Sequence, residues 1–311
     1  MDGGRARIYG WMGSIPISRE GVCAMHPGAK LRAALSGEDL VVAPGVFDMI
    51  SARIADGLGF PALYMTGFGV SASLGLPDAG LATYSEMVGR VAQICERAAT
   101  PVICDADTGF GGLLNLERTV RGYEAAGAAA IQIEDQVFPK RCGHTLGRRV
   151  VPAEDMARKI KVAAATRSSP DFLIVARTDA RTSLGLDEAL RRGEAYAKAG
   201  ADILFIESPE SEEEMARIGR HFDLPLIANM VEGGRTPTLS RERLKELGYR
   251  IAIYPVTGLL AAAAALERAY GVLKAEGSSA TLGGDLYGFD RLCRLAGFDA
   301  VWAFEKRWPE V

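Results

Sequence analysis

The sequence predicts a (β/α)8 TIM barrel, an α/β architecture in which eight parallel strands alternate with helices. Three observations predict it. Short apolar runs, many of them β-branched, recur eight times from residue 40 onward. Longer, alanine-rich segments with helical spacing separate them. Glycines stand repeatedly at the ends of those segments, just before the next run.

The strand candidates are residues 40–43, 62–65, 101–104, 130–133, 173–176, 203–206, 226–229 and 251–254. Their apolarity is continuous rather than alternating, as expected of strands buried on both faces in a parallel sheet covered by helices. Between them, residues 85–98 carry Met87, Val88, Val91 and Ile94 on one helical face. Segments 117–126 and 187–199 end at Gly127 and Gly200, each able to take the left-handed conformation that terminates a helix. Ala126-Gly127-Ala128 and Ala199-Gly200-Ala201 repeat one punctuation before a strand, and Glu246-Leu247-Gly248 does the same before the eighth. A doubly wound open sheet is the competing fold. It calls for a Gly-rich dinucleotide turn after the first strand, and Ala43-Pro44-Gly45-Val46 is not one.

A chain of 311 residues suits one barrel, and 48% hydrophobic residues suffice for a large core. The net charge of −3 offers no electrostatic footprint for nucleic acid. No apolar run is long enough to span a membrane, and glycines and Pro16 interrupt residues 8–17, so neither a membrane anchor nor a secretory signal is expected. Cys23, Cys95, Cys104, Cys142 and Cys293 are odd in number and show no paired spacing, the usage of a reducing, cytoplasmic compartment. Three segments are expected: a lead-in over 1–29, the catalytic barrel over 30–276, and a helical tail over 277–311. Trp302, Phe304 and Trp308 make the tail costly to leave in water, so it is expected to dock on a neighbouring subunit.

In a barrel of this kind chemistry belongs at the C-terminal ends of the strands. Thr66 and Gly67 follow the second run, Asp105 and Asp107 the third, Glu134 the fourth, Arg177 the fifth and Glu207 the sixth, while Asn229 ends the seventh. Carboxylates converging from several strands repel unless a cation lies among them, and oxygen ligands suit a hard divalent ion. Asp105 and Asp107 also read as turn residues before a glycine-rich loop. Gly109, Gly111 and Gly112 form only a weak phosphate cradle. Arg177 carries the planar fork that binds a carboxylate, or forms an internal ion pair with Asp179 or Glu207. Within Lys140-Arg141-Cys142-Gly143-His144, a thiol, two cations and an imidazole crowd one loop. No second Cys/His pair completes a zinc site. The better reading is an acid or nucleophile whose thiolate the cations stabilise, set against a buried structural cysteine.

These residues resemble the isocitrate lyase / phosphoenolpyruvate mutase superfamily over residues 31–275. The resemblance rests on Tyr64-Met65-Thr66-Gly67, Gly75-Leu76-Pro77-Asp78, Asp105 to Gly111, Ile133-Glu134-Asp135-Gln136, Lys140 to His144 and Ala176-Arg177-Thr178-Asp179. It implies a barrel whose last helices are exchanged between paired subunits within a homotetramer. It implies Mg²⁺, or Mn²⁺ in its place, bound directly by Asp105 and through water by Asp78, Asp107 and Glu134. Thr66, Gly67 and Arg177 match positions that hold the α-keto acid half of the substrate. Cys142 matches the catalytic acid of a gating loop. Gly143 belongs to the same loop, His144, Glu207 and Asn229 line the other half of the site, and Tyr64 lies near the substrate hydroxyl.

Residues 229–237 resemble the 2,3-dimethylmalate lyase and oxaloacetate hydrolase branch, with methylisocitrate lyases close by. The implied activity is cleavage of a carbon–carbon bond in a small 2-hydroxy dicarboxylate, giving a 2-oxo acid such as pyruvate. Oxaloacetate hydrolysis or decarboxylation, a carboxyphosphonoenolpyruvate-type mutase reaction and a non-catalytic dicarboxylate-binding barrel are the rivals.

Overall fold

A computed structural model describes residues 25–143 and 147–309. Its eight parallel strands are β1 (Val41–Val46), β2 (Leu63–Met65), β3 (Val102–Asp105), β4 (Ala130–Glu134), β5 (Leu173–Thr178), β6 (Ile203–Ile206), β7 (Ile227–Asn229) and β8 (Ile251–Tyr254). They neighbour one another in the order β6-β5-β4-β3-β2-β1-β8-β7. A parallel bridge between Leu204 and Leu226 joins the two ends of that order. β1 pairs with both β2 and β8, which sets the open doubly wound sheet aside. The architecture is the (β/α)8 barrel, with helices at Tyr84–Arg97, Leu113–Ala125 and Leu186–Lys198 close to where the spacing places them.

Alternate side chains on each strand face opposite ways, so each strand feeds two apolar layers. Val41, Ala43, Tyr64, Ile103, Val175, Phe205 and Ile253 fill the barrel interior. Leu63, Met65, Ile131, Ile174, Leu204 and Ala252 face the helices, where Met87, Val91, Ile94, Val120, Ile160 and Ile218 meet them. Burial on both faces is what makes the runs continuous in sequence, and each fully buried Leu or Ile contributes roughly 1.5–3 kcal/mol. Gly127 and Gly200 adopt φ of +93° and +107°, the left-handed helix ends expected of them.

Helix Pro27–Ser36 starts inside the segment read as a lead-in, whose first 24 residues lie outside the described ones. Leu31 joins the interior cluster. A Cβ on Gly28 would stand 1.9 Å from the Asp171 carbonyl oxygen, so the helix lies against the residues that lead into β5. It therefore closes the N-terminal end of the barrel and leaves the C-terminal end for chemistry.

The chain divides into two compact units, with the barrel in residues 25–268. The other unit contains the end of helix Thr257–Glu276 and helices Phe289–Ala296 and Phe298–Arg307, joined at Gly297 with φ of +101°. Phe298 and Trp302 pack with ring centroids 5.9 Å apart. Phe289, Trp302, Phe304 and Trp308 are all exposed in the isolated chain.

Candidate active site

Sequence reading placed Asp105, Glu134 and Arg177 after their strands, whereas the structure places them inside β3, β4 and β5. Parallel pairing is made by the backbone and tolerates polar side chains, and it extends to Asp105 opposite Gln132 and Glu134 opposite Arg177. Gln132 links Asp105 to the barrel interior. Tyr64 donates its hydroxyl to Gln132 Oε1 at 3.1 Å, and Gln132 Nε2 donates to Asp105 Oδ1 at 3.3 Å. Burial, with Asp105 adding, pushes the Tyr64 phenol well up, so it stays protonated at neutral pH.

Thr66 caps helix Gly67–Ser73 by accepting from Gly69 N–H, and this presents the Gly67 amide to Asp105 Oδ2 at 3.3 Å. A Cβ on Gly67 would stand 2.6 Å from that oxygen, so glycine is what permits the approach. Asp107 follows with φ of +48°, and its amide donates to Asp105 Oδ1 at 3.1 Å.

In sequence Lys140 reads as a source of positive field for the thiol. The structure turns it inward instead, 2.8 Å from Asp107 Oδ1 and ion-paired with Asp78. Its burial would lower its pKa, but Asp107, Asp78, Glu134 and Asp105 hold it well above the ordinary lysine value. Burial raises Asp107 to about 6, with Lys140 opposing and Asp105 and Asp78 adding. Arg141, the other loop cation, is exposed, with a guanidinium nitrogen 2.5 Å from where a Cβ on Gly147 would lie.

Arg177 is where the remaining strand ends meet. Its Nε and Nη2 donate to the two oxygens of Asp179 at 2.9 and 3.0 Å. Nη2 lies 3.2 Å from Glu207 Oε2 and Nε 3.4 Å from Glu134 Oε2, with the guanidinium 5.0 Å from the Phe205 ring centre. The internal ion pairs expected as one of the two roles of this residue are present, to Asp179 and to Glu207. Burial alone would raise Asp179, but Arg177 and Arg148, the latter at 2.6 Å, bring it below the usual carboxylate value. Asn229 Nδ2 donates to Glu207 Oε2 at 3.0 Å.

The loop lies across this group. Gln136 clasps the Arg141 peptide, accepting its N–H at 3.0 Å and donating to its carbonyl at 2.8 Å. Cys142 N–H donates to the Asp78 carbonyl at 3.2 Å. A Cβ on Gly143 would stand 2.3 Å from Arg177 Nη2 and 2.9 Å from Glu207 Oε2. Cys142, next to Gly143 in the chain, is half-buried, unlike the fully buried Cys104. His144 lies outside the described residues. Of the residues expected in the site, the structure thus gathers Tyr64, Thr66, Gly67, Asp78, Asp105, Asp107, Glu134, Cys142, Gly143, Arg177, Glu207 and Asn229 around one end of the barrel. Sequence reasoning missed the parts played by Gln132, Gln136, Lys140, Arg148 and Ser208. Gln132 had a visible signal, a polar residue inside an otherwise apolar strand.

The donor set suits a hard divalent cation held by few direct protein ligands. Among the described residues no three Asp, Glu, His or Cys side chains form a ready metal cage. Glu134 Oε1 is nevertheless buried without a hydrogen-bond partner, and burial pushes its carboxyl well up, Arg177 opposing. A cation keeping several of its waters would satisfy that oxygen and the crowded carboxylates around it.

A barrel with converging carboxylates, an arginine fork and a thiol at its strand ends is the architecture of the phosphoenolpyruvate mutase / isocitrate lyase superfamily, and the chain belongs to it. The family model described as phosphoenolpyruvate phosphomutase matches residues 31–273. The chain is 51% identical to 2,3-dimethylmalate lyase of Eubacterium barkeri over 91% of its length and 99% of the relative's. It is 44% identical to 2-methylisocitrate lyase of Aeropyrum pernix, over 92% and 91%. Among solved structures, oxaloacetate acetylhydrolase bound to 3,3-difluorooxalacetate superposes with a TM-score of 0.86 at 36% identity, covering 90% of this chain and 96% of that one. Phosphonopyruvate hydrolase bound to oxalate and Mg²⁺ superposes with a TM-score of 0.84 at 31% identity, covering 92% and 100%. No helix among the described residues is long and apolar enough to cross a membrane.

Proposed function

We propose that the chain is a Mg²⁺-dependent carbon–carbon lyase acting on a small 2-hydroxy dicarboxylate of the 2-alkylmalate or methylisocitrate type and releasing a 2-oxo acid such as pyruvate. The observation that carries this reading is the gathering of Asp105, Glu134, Arg177 and Glu207 at the strand ends with the Cys142–Gly143 segment directly over them. The high identity to two lyases of such substrates supports it.

In this reading Asp105 would hold Mg²⁺ directly, and Asp78, Asp107 and Glu134 would hold it through water; Mn²⁺ would serve in the same place. Bound there, the ion would supply positive charge where the 2-oxo acid oxygens collect negative charge. Arg177, with Thr66 and the Gly67 backbone, binds and orients the carboxylate of that half, while Gly143, His144, Glu207 and Asn229 line the other. Tyr64, kept neutral and donating its proton to Gln132, offers its oxygen as an acceptor to the substrate hydroxyl. As the hydroxyl gives its proton, through water, to the Glu134 carboxylate, whose Oε1 has no hydrogen-bond partner of its own, the adjacent carbon–carbon bond breaks and its electron pair passes into an enediolate of the departing carboxylate. Cys142 then gives its proton to that carbon and is left as thiolate, which Arg141 and His144 stabilise. The loop over the site excludes water from the enediolate. The exposed aromatic residues of 277–311 pack on a partner subunit in a homotetramer of helix-swapped dimers, in the cytoplasm.

A second reading, oxaloacetate hydrolysis, is favoured by the likeness to oxaloacetate acetylhydrolase. A substrate panel decides between them. Pyruvate released from 2,3-dimethylmalate or 2-methylisocitrate supports the lyase, whereas oxalate and acetate released from oxaloacetate support the hydrolase. Turnover of a phosphonate alone would move the chain to the mutase branch. Cys142→Ser should cut lyase turnover by about a thousandfold, because a hydroxyl is a far weaker acid than a thiol, while oxalate binding by calorimetry persists. Parent-like turnover of that variant would dismiss Cys142 as the acid.

A further inference from the structure

We propose that Ser208 is a positioning residue that holds the Cys142–Gly143 segment over the site through a hydrogen bond to the Gly143 carbonyl. Ser208 follows Glu207 at the end of β6, is completely buried, and adopts φ of +58°, uncommon for a serine. That left-handed turn folds the chain back on itself. The Ser208 amide then donates to Glu207 Oε1 at 2.7 Å, while its Oγ reaches the Gly143 carbonyl at 3.1 Å.

Oγ is also 3.1 Å from Glu207 Oε1, and one hydroxyl proton serves one acceptor at a time. Glu207 Oε1 already accepts the Ser208 amide, and Oε2 already accepts Asn229 Nδ2. The hydroxyl thus reaches both acceptors, and its proton is assigned in this proposal to Gly143, since the Ser208 amide already serves Glu207 Oε1. On its other side, Oγ accepts from Arg148 Nη2 at 3.4 Å, and Arg148 is fixed by Asp179 and Thr182 at 2.6 Å each. The latch is thus built on a rigid base. It complements two ties from the opposite side, the Gln136 clasp on Arg141 and the Asp78 carbonyl on the Cys142 amide. Residue 143 is the point where the segment meets Arg177 and Glu207.

The kinetic part of this inference rests on the proposed lyase reading, but the position of the segment is measured independently of it. The experiment is hydrogen exchange by mass spectrometry on the full-length Ser208→Gly and Ser208→Ala proteins, beside steady-state kinetics. Glycine suits the positive φ and alanine keeps the Cβ, so an effect common to both belongs to the hydroxyl. Protection of the Cys142 amide should fall about fivefold in both, the effect of one neutral hydrogen bond, while strand amides keep theirs. Turnover should fall by a similar factor with KM changed less than about twofold, because the segment carries the acid rather than the carboxylate fork. Unchanged protection across 136–143 in both variants overturns the latch, as does a loss spread equally over the barrel strands. If Cys142→Ser stays active, the lyase assignment of the acid fails while the exchange result still judges Ser208.

Discussion

Gly143→Ala tests the geometry of the site with one methyl group. The added Cβ would sit 2.3 Å from Arg177 Nη2 and 2.9 Å from Glu207 Oε2, inside the 3.0 Å that real Cβ contacts essentially never cross. Neither neighbour can yield easily. Arg177 is held by two hydrogen bonds to Asp179, and Glu207 by Asn229 and the Ser208 amide. The loop backbone must move instead, by about 1 Å to regain ordinary contact. A misplacement of about 1 Å costs a reaction on the order of a hundredfold, which is about 2.7 kcal/mol at the transition state. Turnover followed by pyruvate release, on whichever dicarboxylate the panel identifies, should fall by that factor, with the melting temperature within about 1 °C of the parent because the barrel core is untouched. Activity within about threefold of the parent would refute the close seating of residue 143 on Arg177 and Glu207.

Asp105→Ala should abolish turnover and its response to added Mg²⁺ together, with a circular dichroism spectrum like the parent's; near-normal turnover in chelator-treated buffer would sink the metal assignment. On the proposed packing of the tail against a partner subunit, removal of residues 277–311 should weaken assembly, because the exposed Phe289, Trp302, Phe304 and Trp308 go with it; an unchanged oligomer in sedimentation would make the tail an appendage. Asp179 has a carboxyl held below the ordinary value by Arg177 and Arg148 against its burial. The stability it contributes is complete above about pH 4, the unfolded value, and is lost as pH falls through the folded one. Asp179→Asn should therefore flatten the acid limb of the melting curve below about pH 4, and an acid limb as steep as the parent's would contradict the ion-pair reading.

Much of this molecule is legible in one dimension because burial on both faces of a strand demands continuous apolarity. Residues 203–206 and 251–254 need nothing further to be recognised as barrel strands, and Gly127 and Gly200 announce helix ends by their freedom to take positive φ. The positions of Asp105, Glu134 and Glu207 at or just past apolar runs likewise place them at the strand ends, where this fold carries its chemistry. Tertiary structure alone decided partnership. Lys140 reads as a loop cation beside a cysteine, yet it lies 2.8 Å from Asp107 and is also paired with Asp78, 62 residues away in the chain. Ser208 carries no signal in sequence, since its role depends on a left-handed turn that brings a hydroxyl to a carbonyl 65 residues distant. Hydrophobic burial is a property of each segment and leaves a periodic trace, whereas a hydrogen bond between remote loops depends on angles and distances that exist only once the barrel has closed.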